Sequence, residues 1–187
     1  MDNIYTRTEL VDGDKIELIK NSTVMVVGIG GVGGYATEAL ARTGVGTLIL
    51  VDKDKIDVTN INRQIHSLHS TIGKEKVDVM KERILDINPN CKVILINEFD
   101  LDSAFKLIPQ CDFVIDAIDT ITNKIKLIKE CLNLKVAFIS AMGAGNKVDP
   151  TRFEIADITK TQYDPIARII RSKLRKEGIY VKVPVVY

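Results

Sequence analysis

The sequence predicts an α/β protein with a doubly wound, mostly parallel sheet and extra strands near the C-terminus. Three observations favour this class: short apolar runs alternate with runs of helical periodicity, clustered glycines follow the first apolar run, and aspartates follow later ones. With 187 residues, 45% of them hydrophobic, the chain is long enough for one well-buried domain and too short for two of ordinary size. We therefore expect a single domain over residues 1–187.

Apolar runs predict five strands, and helical periodicity predicts four helices. The strands are expected at Thr23–Gly28, Thr47–Asp52, Lys92–Asn97, Asp112–Asp116 and Val136–Ala141. The helices are expected at Val32–Thr43, Lys74–Asn88, Thr120–Leu132 and Pro165–Glu177. In the second helix Val77, Met80 and Ile84 recur at helical spacing. Pro89 ends that run because proline disfavours a helical conformation in the preceding residue.

Two more strand-like runs, Thr151–Ala156 and Tyr180–Tyr187, lie beyond the first five. The second of them stops without a polar cap or tail. We therefore expect the full protein to continue past this point, so that the single domain lacks a C-terminal portion.

Charge and cysteine content exclude several classes of protein. The formal net charge is +1, from 26 basic and 25 acidic residues, so contact with nucleic acid would have to come from a local patch. Cys91, Cys111 and Cys131 are odd in number and form no C-x-x-C pair, which argues against a disulfide framework or a structural zinc site. These features are typical of a reducing cytoplasm. No apolar run reaches the roughly twenty residues that a membrane span needs.

The first apolar run leads directly into closely spaced glycines, which is typical of a phosphate cradle. Glycines let backbone N–H groups approach an anionic ligand at the positive end of the following helix. Gly28, Gly30 and Gly33 fit the dinucleotide fingerprint, and Gly31 doubles the second glycine. Asp52 ends the next strand, where a carboxylate can hold ribose hydroxyls. These residues fit NAD and ATP equally, and a structural turn with a strand-end cap is the alternative.

The segment Asn60-Ile61-Asn62-Arg63-Gln64 distinguishes between NAD and ATP as the predicted ligand. Together with the doubled glycine and the strand end at Asp52, it resembles the ThiF-type adenylation domain of the ubiquitin-activating-enzyme-like superfamily. The resemblance extends over nearly the whole chain and implies a Rossmann-like fold that binds ATP and Mg²⁺. It implies that Asp52 binds ribose and that Asn60 and Arg63 contact ATP, with Asp54 and Gln64 in the same site.

The same resemblance assigns three more residues to the reaction beside Arg63. Lys76 matches a lysine near the phosphates, Asp119 a magnesium-associated aspartate, and Arg7 an arginine that reaches across a homodimer to the partner's nucleotide. The residues themselves leave alternatives open, because Lys76 lies in a charge run typical of a solvated helix face and an isolated arginine is more often a solvated charge. Asp116 is expected to be a buried structural acid beside an exposed Asp119.

Later segments indicate which branch of the family the sequence resembles. The runs Gly143-Ala144-Gly145, Asp149-Pro150-Thr151-Arg152 and 156–161 are similar to the branch of tRNA threonylcarbamoyladenosine dehydratases. By that similarity, ATP adenylates the carboxylate of threonylcarbamoyladenosine in tRNA, and an intramolecular attack then closes a ring and releases AMP. Because the attacking atom belongs to the substrate, its effective molarity is high and no enzyme thiol is needed.

Other functions stay open at this point. One is adenylation of the C-terminal glycine of a ubiquitin-like or sulfur-carrier protein, and another is nicotinamide oxidoreduction at the glycine turn. A third is a non-catalytic nucleotide-binding scaffold, which is disfavoured because Arg63, Lys76 and Asp119 together form a charge-neutralising set. Whether a sulfur-transfer protein is a partner is also open.

A basic helix offers a local patch for tRNA. Residues 160–182 carry seven basic side chains against two acidic ones, and Arg168, Arg171 and Arg175 share one helical face. An apolar stripe lies on the opposing face: Ile166, Ile169, Ile170 and Leu174. The alternative is an ordinary amphipathic surface helix.

Overall fold

The computed structural model describes residues 4–13, 15–97 and 101–187, and within these ranges it confirms the α/β class. The strands are β1 (Thr23–Val27), β2 (Thr47–Val51), β3 (Lys92–Ile96), β4 (Phe113–Asp116), β5 (Ala137–Ala141), β6 (Ile155–Asp157) and β7 (Pro184–Val186). The helices are α1 (Thr6–Asp12), α2 (Lys15–Asn21), α3 (Gly33–Thr43), α4 (Lys76–Ile87), α5 (Leu101–Phe105), α6 (Ile121–Leu134) and α7 (Pro165–Lys176). None of these helices is long and apolar enough to cross a bilayer.

The strands form one sheet in the order β3-β2-β1-β4-β5-β7-β6. Strand β1 pairs in parallel with β2 on one side and with β4 on the other, although β4 comes much later in the chain. The strand order therefore reverses at β1, and the helices that follow β1 and β4, α3 and α6, pack in different apolar layers of the sheet. A crevice at such a switch point is the usual place for a ligand in this architecture. At the far edge β6 runs antiparallel to β7.

Two apolar layers hold the helices against the sheet. Along β1 the side chains alternate, so that Met25 and Val27 join the layer beneath α6 and α7 while Val24 and Val26 join the layer beneath α3 and α4. All four valine and methionine side chains are buried. Each contributes about 1.5–3 kcal/mol of burial free energy, which fixes β1 as the central strand.

The five predicted strands and four predicted helices are confirmed, with ends that shift by two residues at most. The pattern did not identify α1, α2 or α5. The predicted strand Thr151–Ala156 is wrong in its first half, because the Asp149 carboxylate accepts a hydrogen bond from Thr151 N at 3.0 Å and caps a 3₁₀ turn there. Strand β6 begins only at Ile155. Of the predicted C-terminal run Tyr180–Tyr187, only the residues of β7 form a strand.

The three cysteines pack in the interior, as expected for residues without a catalytic role. All three are free thiols and are buried. Burial raises the pKa of Cys91 above its ordinary value, that of Cys111 to about 11 and that of Cys131 to about 12. The thiols are therefore protonated near neutral pH and are poor nucleophiles.

His66 is an interior histidine of the segment that connects β2 to α4. Its side chain is only 1% exposed, and neither ring nitrogen has a hydrogen-bond partner among the described residues. The ring lies against α3, where a Cβ added to Gly34 would stand 3.2 Å from Nδ1. Burial, with the nearby charges of Lys76 and Arg83, lowers the pKa of His66 to about 4. His66 therefore packs in the interior as a neutral imidazole near pH 7.

This burial predicts a loss of stability in mild acid. The pKa of His66 falls from 6.5 in the unfolded chain to about 4 in the fold, so the unfolded state takes up a proton first and stability drops as the pH falls through that window. The loss is at most about 3.5 kcal/mol, at about 1.4 kcal/mol for each of about 2.5 pKa units. Urea unfolding of the parent and of His66→Leu across this range measures it.

The only other histidine in the sequence provides the control. His69 is exposed, so His69→Gln is expected to keep the acid sensitivity of the parent. A His66→Leu protein whose unfolding free energy declines with acid as steeply as the parent's would contradict the assignment.

Candidate functional site

A cavity of about 740 Å³ opens at the carboxyl ends of β1, β2, β4 and β5. Its volume lies within the usual range for a small-molecule site. Glycine loops form two of its walls, and charged side chains from three other segments complete it. Among the residues that line it are Gly28, Gly30, Gly31, Asp52, Asp54, Arg63, Gln64, Lys76, Ile118, Asp119, Asn123, Lys124, Ala141, Met142, Gly143, Ala144, Gly145 and Ile166.

The turn after β1 is shaped by glycines whose missing side chains are sterically required. Gly28 has a φ of +91°, and a Cβ there would stand 2.6 Å from the carbonyl oxygen of Ala117. At Gly33, which lies behind the lining, a Cβ would stand 1.8 Å from the carbonyl oxygen of Gly28. Helix α3 begins here without a side-chain cap. Its first N–H groups and its positive dipole end can therefore serve an anion.

Asp52 is held at the end of β2 by the backbone. Its side chain is buried, with Oδ2 accepting a hydrogen bond from Ile29 N at 2.7 Å and Oδ1 accepting one from Asp54 N at 2.8 Å. Burial raises the pKa of this carboxyl group, and the two amides and Lys76 oppose that effect. A carboxylate has about four acceptor positions, so both oxygens can still accept from vicinal hydroxyls.

Lys76 does not lie on a solvated helix face. It is the first residue of α4, it is buried, and its Nζ forms an ion pair with Asp54 Oδ2 at 3.0 Å. The carboxylate of Asp54 is more than half exposed at the cavity. Because the ammonium lines the cavity while its partner faces solvent, the lysine can shift toward an anionic ligand.

The segment after β2 brings a cation and an amide to the same wall. Arg63 is exposed, and its Nη1 donates to Thr59 O at 3.0 Å and to Asn62 Oδ1 at 2.8 Å. Gln64 is buried and lines the cavity, and its Oε1 has no hydrogen-bond partner among the described residues. A buried acceptor of this kind is costly unless a ligand or water donates to it.

Asp116, the last residue of β4, and Asp119, in the loop after it, differ in exposure as the sequence predicts. Asp116 is fully buried and forms an ion pair with Lys124 at 2.9 Å. Burial raises its pKa, which Lys124 and the Ser140 hydroxyl oppose. Asp119 is exposed and lines the cavity. Of these two carboxylates, only that of Asp119 is open to a ligand in the cavity.

The structure leaves some predicted site residues outside the cavity. Asn60 does not line it, and its Oδ1 instead accepts from Asp57 N at 3.0 Å, which caps a 3₁₀ turn. Gly33 supports the turn from behind. Arg7 lies exposed on α1, away from the lining residues.

The three arginines of the basic helix α7 differ in their exposure to solvent. Arg168 and Arg175 are exposed, and with their neighbours they line a shallow surface depression. Arg171 is half-buried, and its Nη1 donates to Ile158 O at 2.8 Å and to Thr161 Oγ1 at 2.7 Å. One of its nitrogens is therefore committed to holding the turn before α7. The apolar stripe is also narrower than predicted, because Ile169 is exposed.

Sequence reasoning missed Lys124 and the wall formed by residues 141–145 with Ile166. The signal for Lys124 was available in the periodicity of α6. Lys124 lies beside Ile125 and four residues before Ile128, on the face that is otherwise apolar and buried. A lysine at a core position of an amphipathic helix indicates a buried partner. The run Gly143-Ala144-Gly145 resembles the family, but residues without functional groups do not by themselves indicate that they line a cavity.

Comparison with known proteins agrees with this geometry. The tRNA threonylcarbamoyladenosine dehydratase of Bacillus subtilis is 55% identical over 186 residues, which cover 98% of this chain and 73% of that protein. The structures of Escherichia coli TcdA, a tRNA N6-threonylcarbamoyladenosine dehydratase, in complex with AMP and with ATP match with TM-scores of 0.90 and 0.88. Both are 39% identical and cover 96% of this chain and 77% of theirs.

The family follows from these matches. A model of the ThiF family matches residues 4–176, a span that includes the glycine turn, the Asp52 strand end, the Arg63 segment and the loop of Asp119. The chain belongs to the ThiF family.

Proposed function

We propose that this protein uses ATP to adenylate the carboxylate of threonylcarbamoyladenosine in tRNA and thereby drives its cyclisation with net loss of water. One observation carries the proposal: a glycine turn, two cations and a buried carboxylate converge on a single cavity at the switch point of the sheet. The similarity to dehydratases, one of which was solved both with AMP and with ATP, supports both the nucleotide and the substrate.

The proposed orientation of ATP follows from the chemistry of the cavity lining. The Asp52 carboxylate suits the ribose hydroxyls. Gly30 and Gly31 of the turn suit the phosphates, because no side chain there blocks approach to their backbone N–H groups. Arg63 and Lys76 then flank the triphosphate. The unpaired Oε1 of Gln64 accepts a hydrogen bond from the ligand, which removes the cost of leaving it unsatisfied.

Magnesium fits beside Asp119. Mg²⁺ is usually held by one or two carboxylates together with substrate phosphates. In the described ranges no group of three or more His, Cys, Asp or Glu residues is arranged to hold a metal ion, whereas Asp119 presents one exposed carboxylate to the cavity. A bound Mg²⁺ would neutralise phosphate charge there.

The reaction then needs only orientation and charge neutralisation from this chain. The substrate carboxylate attacks the α-phosphorus of ATP, pyrophosphate leaves, and an acyl-adenylate forms. A nucleophile of the same substrate attacks the activated carbonyl, the ring closes and AMP leaves. Arg63 and Lys76 stabilise the charge that moves onto pyrophosphate. An enzyme thiol is not required, which agrees with three buried, protonated cysteines that do not line the cavity.

Two partners complete the proposal. Arg7 lies exposed on α1 and far in sequence from the cavity residues, which suits a contact made to the nucleotide of a second copy in a homodimer. The exposed arginines of α7, Arg168 and Arg175, suit the phosphate backbone of tRNA.

The proposed substrate is tested by the mass of the nucleosides after the reaction. The full-length protein is incubated with ATP, magnesium and tRNA that carries threonylcarbamoyladenosine, and the digested nucleosides are analysed. We expect a nucleoside lighter by one water, formed only with ATP, together with AMP and pyrophosphate. If ATP binds but no lighter nucleoside appears, the substrate assignment is wrong. Pyrophosphate exchange that depends instead on a carrier protein would favour the alternative adenylation.

Removal of a charged cavity residue should abolish the chemistry without unfolding the protein. In Arg63→Ala and Asp119→Asn we expect AMP formation to fall by roughly 100-fold or more, because preorganised charges stabilise the transition state. Both side chains are exposed, so the thermal midpoint should stay close to that of the parent. Asp78→Asn, an exposed acid on α4, is the matched control. Full turnover in either cavity variant would place the phosphate or magnesium site elsewhere.

The basic helix is tested by charge reversal. In the double variant Arg168→Glu and Arg175→Glu we expect tRNA affinity to fall by about tenfold or more and its salt dependence to become shallower, because phosphate contacts are lost. ATP affinity should not change. Lys81→Glu with Lys92→Glu, near the opposite edge of the sheet, reverses the same number of charges as a control. Unchanged and salt-insensitive tRNA binding in the α7 variant would eliminate this surface.

A further inference from the structure

The buried ion pair of Lys124 and Asp116 lies directly beneath the cavity. Lys124 is 1% exposed, Asp116 is fully buried, and Lys124 Nζ lies 2.9 Å from Asp116 Oδ2. Removing two charges from water costs free energy that their attraction does not always return, so a buried ion pair is weak evidence for a role in stability. The position of this pair therefore calls for another explanation.

The ammonium of Lys124 joins the ends of two neighbouring strands. Asp116 is the last residue of β4 and is paired in register with Ser140 of β5, and Ala141 is the last residue of β5. Lys124 Nζ donates to Ala141 O at 2.8 Å as well as to Asp116. The Ser140 hydroxyl donates to Asp116 Oδ2 at 2.5 Å.

The network also reaches the loop that carries Asp119. The second oxygen of Asp116, Oδ1, accepts a hydrogen bond from Ile118 N at 3.1 Å, one residue before Asp119. A continuous path of hydrogen bonds therefore runs from the loop after β4, through Asp116 and Lys124, to the carbonyl at the start of the loop after β5. Both loops line the cavity.

We propose that Lys124 is a positioning residue that fixes the spacing between the Asp119 loop and the wall of residues 141–145, and so aligns the acyl group with the nucleotide. Its Nζ makes short contacts to Asp116 and to the carbonyl of Ala141 and a longer one, at 3.4 Å, to Ser140 Oγ. An ammonium that has three donors and makes these three contacts is held in place by protein atoms. It acts on the reaction through the two loops, and the proposal rests on the adenylation function proposed above.

The test removes both charges together. Lys124→Met alone leaves Asp116 buried without its cation and can fail to fold, whereas Lys124→Met with Asp116→Asn leaves no uncompensated charge. In the double variant we expect a thermal midpoint close to that of the parent and an ATP dissociation constant within about threefold of the parent's. We expect the kcat for AMP formation to fall by about tenfold or more, because misplacing reacting groups by about 1 Å can lower the rate on the order of 100-fold. Lys124→Arg, which keeps the charge and the donors, should recover part of the lost kcat.

Hydrogen exchange supplies a readout that does not depend on the reaction. In the double variant we expect amides in residues 117–119 and 142–145 to exchange about tenfold faster, while amides of β1 keep their protection. Lys126→Met, an exposed lysine on the same helix, should change neither exchange nor kcat.

The outcomes separate the two proposals. A folded double variant with the kcat of the parent, or with unchanged exchange in both loops, overturns the positioning role. If the parent itself forms no AMP with modified tRNA, the proposed substrate fails, and exchange in the two loops still decides whether Lys124 holds them.

Discussion

The close approach of the β1 turn to the loop after β4 is the constraint on which the rest of the site depends. No side chain fits at Gly28 or Gly33, since an added Cβ would stand 2.6 Å from Ala117 O at the first position and 1.8 Å from Gly28 O at the second. This contact brings the N-terminus of α3 against the carboxyl end of β4. The anion-binding turn and the acidic loop of Asp119 are therefore neighbours as a direct result of backbone packing, before any polar side chain contributes.

The charged side chains of the site differ in burial and in how firmly the protein holds them. Asp52 is held by two backbone amides, Lys76 is buried beside an exposed Asp54, and Arg63 is exposed. The deepest group is thus fixed by the backbone, and the outermost one can adjust. This order suits a ligand whose sugar binds deep in the cavity and whose phosphates need cations that follow the departure of pyrophosphate.

The sequence predicted the fold well because its signals are local. Strand and helix periodicity located the first five strands and the four longer helices, and the glycine spacing located the turn. Prediction from the sequence failed where the structure depends on tertiary packing or on one side chain that caps a turn. Asp149 converts a strand-like run into a 3₁₀ turn, and Asn60 uses its side-chain oxygen to cap a turn and stays off the cavity lining. The periodicity of α6 places Lys124 at a core position, but its partners, Asp116 and Ala141, meet it only when β4 and β5 pair.

The buried thiols have a practical consequence for spectroscopy. All three cysteines in the sequence lie in the interior, with pKa values raised by burial. Alkylating reagents react with the thiolate, so the native protein is slow to label at these positions. A cysteine introduced on the surface, for example beside the crevice, would take a fluorophore or spin label ahead of the native ones. Distances across the opening could then be followed in solution without removing any natural residue.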